Sequence, residues 1–595
     1  MTNDGWKLPQ FDPQQASASF ARIAERSLEL VTGFVNRRPE LTAMGMSDPS
    51  NVGKAFADLT HRMMADPMSL ATATWDLWNE HVRLWQHTAQ RLIGTAEPAE
   101  SGRRDKRFRD AAWADNAVFE YIKQSYLLSA DAILSTVRKV EGLDPGEARK
   151  TEFYTRQFVD AIAPSNFIAT NPEVLKATIE SGGNNLLNGL ANLIGDLERG
   201  EGRLAITMTS PNAFRVGENV ATTPGKVIFQ NEMMQLIQYT PTTTQVRRRP
   251  LLVVPPWINK FYILDLRPEN SFIRWAVAQG HTVFVISWVN PDQRLADKSF
   301  EDYMSDGLLA ALDAVETAIG ERTVNAIGYC LGGTLLASTL AYLTAKDEQR
   351  IASATYFVSL VDFTDVGDMA VFIDEEQLAS LERRMKERGY LEAHDMATSF
   401  NMLRANDLIW SFVVNNYLLG KEPIPFDLLY WNADATRMPA AMHNFYLRNM
   451  YHENRLSKPG GITLKGVPID LRLIETPSFL LSTREDHIAP WKSTYAATQI
   501  YGGPITFVLS ASGHIAGVIS APGSKYGHWR NANLPASPDD WFSGATATAG
   551  SWWPAWDEWV GQFSDGTVDA RSPGGGKLAP IEDAPGSYVR VRAVR

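Results

Sequence analysis

The stretch of sequence that decides the fold of this chain is Gly328-Tyr329-Cys330-Leu331-Gly332-Gly333. It contains Cys330, the only cysteine among 595 residues. A short apolar run from Thr323 precedes it, and a Leu- and Ala-rich run to Ala345 that predicts a helix follows it. Glycines two positions before and after the cysteine permit a sharp strand-to-helix turn that lifts the thiol out of a sheet, because a Cβ there would collide with the turn. The pattern predicts a nucleophile. The alternative is a small buried thiol beside a glycine-rich turn.

The composition predicts a soluble, cytoplasmic protein with two folded units. The length exceeds that of one ordinary domain, and a hydrophobic share of 44% with 10% aromatic residues supports large cores. One cysteine excludes an intrachain disulfide framework and a cysteine-cluster metal site, and it fits a reducing compartment. The sequence has neither a secretory signal pattern nor an apolar window of about 20 residues that would span a membrane. The net charge of −11 argues against wholesale nucleic-acid binding.

The pattern of the chain changes at about residue 210. Residues 1–210 are expected to form an α-helical N-terminal domain, since apolar residues recur at helical spacing in 20–34, 71–92 and 117–140. Residues 211–595 alternate short apolar runs with helical segments, which predicts an α/β fold with a mostly parallel sheet covered on both faces. The predicted strands are 251–254, 282–286, 324–329, 354–360, 478–482 and 506–509, with a last edge strand at 588–592.

The glycine-flanked cysteine in this context resembles the nucleophile elbow of the α/β-hydrolases. That resemblance implies an α/β-hydrolase fold for 211–595 and makes the helical, aromatic insertion at about 362–475 a cap over the active site. In this fold the nucleophile, the acid and the histidine follow in chain order, each at the carboxyl end of a strand. Asp486 and His514 each follow a predicted strand, and we therefore expect them to be the acid and the base.

Two neighbours compete for these roles. Glu485 would serve as the acid if the loop were shifted by one residue. His487 competes with His514 for the base, but adjacent side chains point in opposite directions in extended backbone, so it is poorly placed to pair with Asp486. His487 stays a candidate for lining the site.

The same pattern predicts an oxyanion hole made of two backbone N–H groups. One donor is expected to be Leu331, directly after the nucleophile. The second is expected from the loop after the first strand of the α/β region, either Trp257 or Ile258, because Pro255 and Pro256 have no N–H. No metal site is predicted.

With these residues assembled, the chain resembles the class I polyhydroxyalkanoate synthases, members of the α/β-hydrolase superfamily. The resemblance extends from about residue 100 to the end. It rests on the motifs Pro164-Ser-Asn-Phe-Ile-Ala-Thr-Asn-Pro172, Val254-Pro-Pro-Trp-Ile-Asn-Lys-Phe-Tyr-Ile-Leu-Asp265, Ser287-Trp-Val-Asn-Pro291, Gly328-Tyr-Cys-Leu-Gly-Gly333, Arg484-Glu-Asp-His-Ile488 and Ser551-Trp-Trp-Pro554.

The resemblance implies an acyltransferase that polymerises (R)-3-hydroxyacyl-CoA, chiefly 3-hydroxybutyryl-CoA, into polyhydroxyalkanoate and releases CoA without a cofactor. It implies a covalent thioester on Cys330, with His514 accepting the thiol proton. Asp486 then either orients His514 or helps to deprotonate the 3-hydroxyl of the growing chain. A helical cap suits such a reaction, since water must be excluded.

The family also implies a homodimer on polyhydroxyalkanoate granules in the cytoplasm, with granule-associated proteins as further partners. The N-terminal domain is then expected to contribute to granule and dimer contacts. Trp257, Trp410 and Trp431 are candidates for lining the substrate channel, with ordinary core packing as the alternative for each.

Two other functions stay open at this point. A cysteine-type acyl-CoA thioesterase or esterase of the same fold would use the same triad, but it leaves the long cap and the motifs outside the site unexplained. A non-catalytic granule scaffold would normally have lost one of Cys330, Asp486 and His514, and all three are present.

Overall fold

The computed structural model describes residues 49–97 and 105–593, of which 49–52 are described by their backbone alone. These residues form two compact units. The first consists of the residues up to Ser210 together with Thr398–Ile424, and the second consists of Pro211–Ala397 together with the residues from Pro425 onward. The helix predicted for 20–34 lies outside the described residues.

The first unit is helical. Asp66 begins its longest helix by accepting a hydrogen bond from the N–H of Ser69, with Pro67 at the first helical position. Asn116 caps a second long helix in the same way. The helices are α1 Pro49–Ala65, α2 Pro67–Leu92, α3 Ala112–Asp115, α4 Ala117–Arg138, α5 Pro145–Ala161, α6 Pro172–Glu180 and α7 Asn184–Arg199.

Residues 398–424 group with the first unit, whereas the sequence placed them inside the cap of the catalytic domain. The reason lies in their contacts with α7. Asn185 donates a side-chain hydrogen bond to the carbonyl of Leu418 at 2.8 Å, and Tyr417 donates to the carboxylate of Asp196 at 2.6 Å. A Cβ at Gly189 would lie 1.8 Å from the carbonyl oxygen of Tyr417, so glycine permits this close approach. These contacts are non-local, and the pattern of the insertion alone does not reveal them.

The second unit is built on an eleven-stranded sheet. Its strands are β1 Gly225–Gln230, β2 Met234–Tyr239, β3 Leu251–Val254, β4 Val283–Trp288, β5 Val324–Tyr329, β6 Ile351–Phe357, β7 Ser478–Thr483, β8 Ile505–Ser510, β9 His528–Arg530, β10 Thr546–Thr548 and β11 Glu582–Asp583. Their order across the sheet is β10-β9-β8-β7-β6-β5-β3-β4-β2-β1-β11. The six central strands, β4-β3-β5-β6-β7-β8, are parallel, and the flanking strands are antiparallel.

Helices separate the strands of this sheet, as the alternating pattern predicted. The helices that follow β3 in the chain are α8 Phe272–Ala278, α9 Phe300–Asp302, α10 Ala310–Ile319, α11 Leu331–Ala345, α12 Glu375–Arg388, α13 Ala393–Leu403, α14 Asp427–Asn432, α15 Ala440–Tyr446, α16 Trp491–Tyr495, α17 Ala497–Ile500, α18 Pro538–Ser543 and α19 Trp553–Gly561. Of these, α13 begins in the second unit and ends in the first, which takes over at Thr398. A π-helical segment, Tyr303–Leu309, joins α9 to α10. The α/β-hydrolase fold with a mostly parallel sheet is thus confirmed.

All six strands predicted for the parallel sheet are present. They could be predicted because strands that are buried on both faces have continuously apolar sequences. The predicted edge strand at 588–592 is wrong. Tyr588–Arg590 forms a 3₁₀ turn, and the edge position beside β1 is taken by Glu582–Asp583.

The register of the parallel strands brings three chain segments to one edge of the sheet. Tyr329 pairs with Phe357, Phe357 with Leu481, and Thr483 with Ser510. The carboxyl ends of β5, β7 and β8 therefore align, and the loops after them meet. Within the described part of the chain, no helix has both the length and the apolar character needed to cross a membrane.

Candidate active site

The elbow places Cys330 at the junction of β5 and α11. Its backbone has φ +51° and ψ −117°, a left-handed conformation that a residue with a side chain rarely adopts. The N–H of Cys330 donates to the carbonyl of Phe357 at 2.9 Å, and its carbonyl accepts from the N–H groups of Gly333 and Thr334. Hydrogen bonds on both sides of the residue therefore stabilise this strained backbone conformation. The Cys330 thiol is partly accessible to solvent.

Each of the three glycines of the motif is required by a close contact, with backbone atoms at Gly328 and Gly332 and with a side chain at Gly333. A Cβ at Gly328 would lie 2.4 Å from the Cα of Gly333. A Cβ at Gly332 would lie 2.0 Å from the carbonyl oxygen of Val254, at the end of β3. A Cβ at Gly333 would lie 1.9 Å from the hydroxyl of Ser359. Helix α11 can therefore start directly against two neighbouring strands.

Asp486 and His514 meet although 28 residues separate them in the chain. Nδ1 of His514 lies 2.7 Å from Oδ2 of Asp486, and this oxygen also accepts from the hydroxyl of Thr483 at 3.1 Å. Oδ1 accepts from the N–H groups of Ile488 and Ala489 at 2.9 and 2.8 Å. The carboxylate is fully hydrogen-bonded and faces the imidazole.

The surroundings of His514 favour its charged form. Burial by itself lowers the pKa of His514, but the negative charges of Asp486 and Cys330, together with hydrogen bonds to both side chains, outweigh burial and raise that pKa to about 10. The same contacts place the imidazole between the thiol and the carboxylate. The structure thus brings Cys330, His514 and Asp486 together in an order that suits proton transfer from sulfur.

The competing residues lie differently. The side chain of Glu485 is exposed, and its backbone N–H donates to the carbonyl of Ser512. His487 is half-buried, and Asp486 contacts His514 instead of this adjacent residue. Among the described residues, no group of three or more His, Cys, Asp and Glu side chains could hold a metal ion.

The loop after β3 carries the two other candidate donors. The N–H groups of Trp257, Ile258 and Leu331 donate to no backbone or side-chain acceptor among the described residues. The ring of Trp257 is 2% exposed and packs against Trp288 and Tyr303, with the closer ring centroid at 4.4 Å. This environment is that of a core residue.

The other two tryptophans that the sequence suggested for the channel lie in different units. Trp431 is buried and donates its indole N–H to the carbonyl of Lys260 at 2.7 Å. Trp410 belongs to the first unit.

Three residues near the site were not identified from the sequence. Burial raises the pKa of the Tyr451 hydroxyl, and the negative charges of Cys330 and Asp486 raise it further. Tyr446 donates to the hydroxyl of Thr334, one turn into α11, at 3.2 Å. These cap tyrosines lie more than a hundred residues from the elbow, and no local pattern distinguishes them from the other aromatic residues of the insertion.

The loop that follows His514 is anchored by the Ser551-Trp-Trp-Pro554 motif. Trp552 donates its indole N–H to the carbonyl of Gly517, and Trp553 donates to that of Val518, both at 3.0 Å. Both rings are almost fully buried. A motif that served only to support the resemblance thus positions the loop of the candidate base.

Comparison with known proteins identifies the family of the chain. A family model described as "Poly-beta-hydroxybutyrate polymerase (PhaC) N-terminus" matches residues 104–276, and one described as "alpha/beta hydrolase fold" matches residues 266–519.

The chain is 48% identical over 587 residues to a poly(3-hydroxyalkanoate) polymerase subunit PhaC of Rhizobium meliloti, covering 98% of this chain and 96% of the relative. It is 50% identical over 559 residues to a poly(3-hydroxyalkanoate) polymerase of Methylorubrum extorquens, covering 93% and 92%. It is 43% identical over 517 residues to the PhaC subunit of Cupriavidus necator, covering 86% of each. Because the chain is so similar to these relatives over nearly its whole length, and carries a Cys–His–Asp arrangement on this fold, it belongs to the poly(3-hydroxyalkanoate) polymerase family.

Proposed function

We propose that this chain polymerises (R)-3-hydroxyacyl-CoA, chiefly 3-hydroxybutyryl-CoA, into polyhydroxyalkanoate with release of CoA. The observation that carries the proposal is the contact of His514 with both Cys330 and Asp486, in a member of the polymerase family. The names of the relatives state the polymer, and the elbow supplies the nucleophile that a thioester substrate requires.

The first half-reaction transfers the acyl group to sulfur. His514 accepts the proton of the Cys330 thiol, and the thiolate attacks the thioester carbonyl of the substrate. The new carbon–sulfur bond forms, the bond to the sulfur of CoA breaks, and the imidazolium returns its proton to the leaving CoA thiolate. A thioester replaces a thioester, so the acyl group stays activated.

The second half-reaction forms the ester. The terminal hydroxyl of the growing chain gives its proton to His514 and attacks the acyl group on Cys330. The carbon–oxygen bond forms, the carbon–sulfur bond to the enzyme breaks, and the proton returns to the cysteine. One repeat unit is added in each cycle.

Asp486 acts in this scheme by orienting His514. Two backbone N–H groups occupy Oδ1, and the hydroxyl of Thr483 and Nδ1 of His514 occupy Oδ2. Since a carboxylate offers about four acceptor positions, these four donors leave no position for the hydroxyl of the growing chain. This supports the orienting role over direct deprotonation of that hydroxyl.

The cap supports exclusion of water from the acyl-enzyme. Tyr446 and Tyr451 pack against each other and against Phe363, with ring centroids 5.0 to 6.0 Å apart. Such an apolar cover favours attack by a polymer hydroxyl over hydrolysis.

Turnover of 3-hydroxybutyryl-CoA tests the function. The expected result is release of CoA together with an insoluble polyester. Release of CoA with only free 3-hydroxybutyrate would establish the second candidate, a cysteine-type thioesterase that shares the same triad, and absence of both products would contradict an enzymatic role.

Exposed apolar side chains on helix α2 support a location on polyester granules. Five apolar side chains on one face of this helix are exposed, and each of the three tryptophans is more than 60% accessible. They are Met68, Trp75, Trp78, Trp85 and Leu92. We assign this face, the α2 apolar face, as the surface of the enzyme that contacts the polyester product. The enzyme is then located on polyester granules in the cytoplasm and acts as a homodimer. Replacing the three tryptophans with serine should abolish co-sedimentation with polyester particles, and unchanged co-sedimentation would contradict the assignment. Light scattering tests the dimer.

A further inference from the structure

Thr436, in the insertion, binds two carbonyls of the loop that follows β3. The N–H of Thr436 donates to the carbonyl of Ile258 at 2.9 Å, and its hydroxyl lies 2.9 Å from the same oxygen. The hydroxyl also donates to the carbonyl of Trp257. Thr436 is 4% exposed, so these bonds form away from solvent. Two successive carbonyls of this loop are thus turned toward one side chain.

The direction of these carbonyls fixes the direction of one N–H. A trans peptide is planar, and its N–H points opposite to its C=O. The carbonyl of Trp257 shares a peptide plane with the N–H of Ile258. Because Thr436 holds that carbonyl, the N–H of Ile258 points away from Thr436, where it meets no acceptor among the described residues. The N–H of Trp257 belongs to the preceding plane, which Thr436 does not hold.

This loop starts directly beside the elbow. The position of a Cβ on Gly332 would be 2.0 Å from the carbonyl oxygen of Val254 and 2.8 Å from that of Pro255. Gly332 is two residues after Cys330 and next to Leu331, the expected first donor. The loop that carries the two candidates for the second donor therefore begins in contact with the start of α11.

The segment that carries Thr436 is itself fastened to the loop by buried groups. Nζ of Lys260 lies 2.7 Å from Oδ1 of Asp434, and both side chains are at most 5% exposed. Tyr262 donates to the other oxygen of Asp434 at 2.9 Å. Asn259 forms an antiparallel bridge with Ala435. Breaking a buried pair of this kind is costly, so the two segments move together and Thr436 keeps its position.

We propose that the N–H of Ile258 is the second oxyanion donor and that Thr436 is the positioning residue that aims it. The proposal rests on the proposed function, since it assumes a thioester carbonyl attacked by Cys330. In that step the carbonyl oxygen gains negative charge as the carbon–sulfur bond forms, and a preorganised N–H stabilises it. Loss of the Thr436 hydroxyl then slows acylation without changing the thiolate.

The test compares two reactions of the same cysteine in the full-length protein. Acylation is followed by rapid release of CoA from 3-hydroxybutyryl-CoA, and alkylation is followed with iodoacetamide, which forms no oxyanion. In Thr436→Val, acylation should slow between about 10-fold and 100-fold, less than the loss of about 10²–10³-fold seen when a donor is removed outright. Alkylation should stay within about twofold of wild type, and Thr436→Ser, which retains the hydroxyl, should restore acylation.

A matched control is Thr339→Val. This threonine is fully buried in α11 and donates to the carbonyl of Leu335 at 2.7 Å, so the variant loses a similar hydrogen bond outside the loop. Its acylation and alkylation should both match wild type. Equal slowing of acylation and alkylation in Thr436→Val, or wild-type acylation in that variant, would overturn the positioning role. Failure of wild type to release CoA would instead contradict the proposed function.

Discussion

The carboxylate of Asp486 accepts a hydrogen bond from Nδ1 of His514 at 2.7 Å, and both side chains are more than nine-tenths buried. The flanking Glu485 is exposed. A shift of one residue in this loop would turn the wrong carboxylate toward the imidazole. The hydrogen bonds from Ile488 and Ala489 to Oδ1 prevent that shift, so the geometry of the pair is set by the backbone around it.

Replacement of Asp486 should therefore be far more damaging than replacement of its neighbour. In Asp486→Asn the amide no longer holds the imidazole in the tautomer that accepts the thiol proton, and kcat for CoA release should fall between about 10² and 10⁴-fold. Glu485→Gln is the matched control and should stay within about twofold. Steady-state kinetics on 3-hydroxybutyryl-CoA measure both, and similar losses in the two variants would contradict the assignment.

Replacement of the sulfur should leave the fold and remove the activity. Cys330→Ser preserves the size of the side chain, but an alcohol is poorly activated in a site that suits a thiol, so CoA release should fall by at least about 10³-fold. Circular dichroism checks the fold. Iodoacetamide labelling of wild type, where only one cysteine can react, provides the control. Near-complete activity of the serine variant would argue against a thioester intermediate.

The elbow glycines should tolerate no side chain. In Gly332→Ala the new Cβ would lie 2.0 Å from the carbonyl oxygen of Val254, and the free energy of unfolding should fall by about 1–3 kcal/mol or more. Gly195→Ala is the control, because nothing lies within 4 Å of its Cβ position and the residue is in helix α7. That variant should be neutral or more stable by about 0.5–1 kcal/mol. Urea denaturation distinguishes the two, and an equal response would show that the close approach in the elbow is not required.

The charged form of His514 should make a pH-dependent contribution to stability. Folding raises the pKa of His514 from its ordinary 6.5 to about 10. The folded protein therefore binds the proton more tightly than the unfolded chain, and the stabilisation is fully present below pH 6.5 and lost as the pH rises toward 10. The difference in free energy of unfolding between wild type and His514→Gln should shrink over that interval. A difference that grows with pH would show that the imidazole is buried uncharged.

The sequence alone was sufficient for the elbow, the six parallel strands and the three residues Cys330, Asp486 and His514 as candidates. These depend on local rules. Glycines are needed where backbones approach closely, strands buried on both faces are continuously apolar, and functional residues follow such strands.

The tertiary structure decided the features that depend on contacts between distant segments. It grouped residues 398–424 with the helical unit through Asn185 and Tyr417, and it replaced the expected last strand by Glu582–Asp583. It also brought Thr436 to the carbonyls of Trp257 and Ile258, 179 and 178 residues away. The direction of a peptide N–H depends on which distant group binds the carbonyl of the same plane, and no local pattern in the sequence encodes that partner.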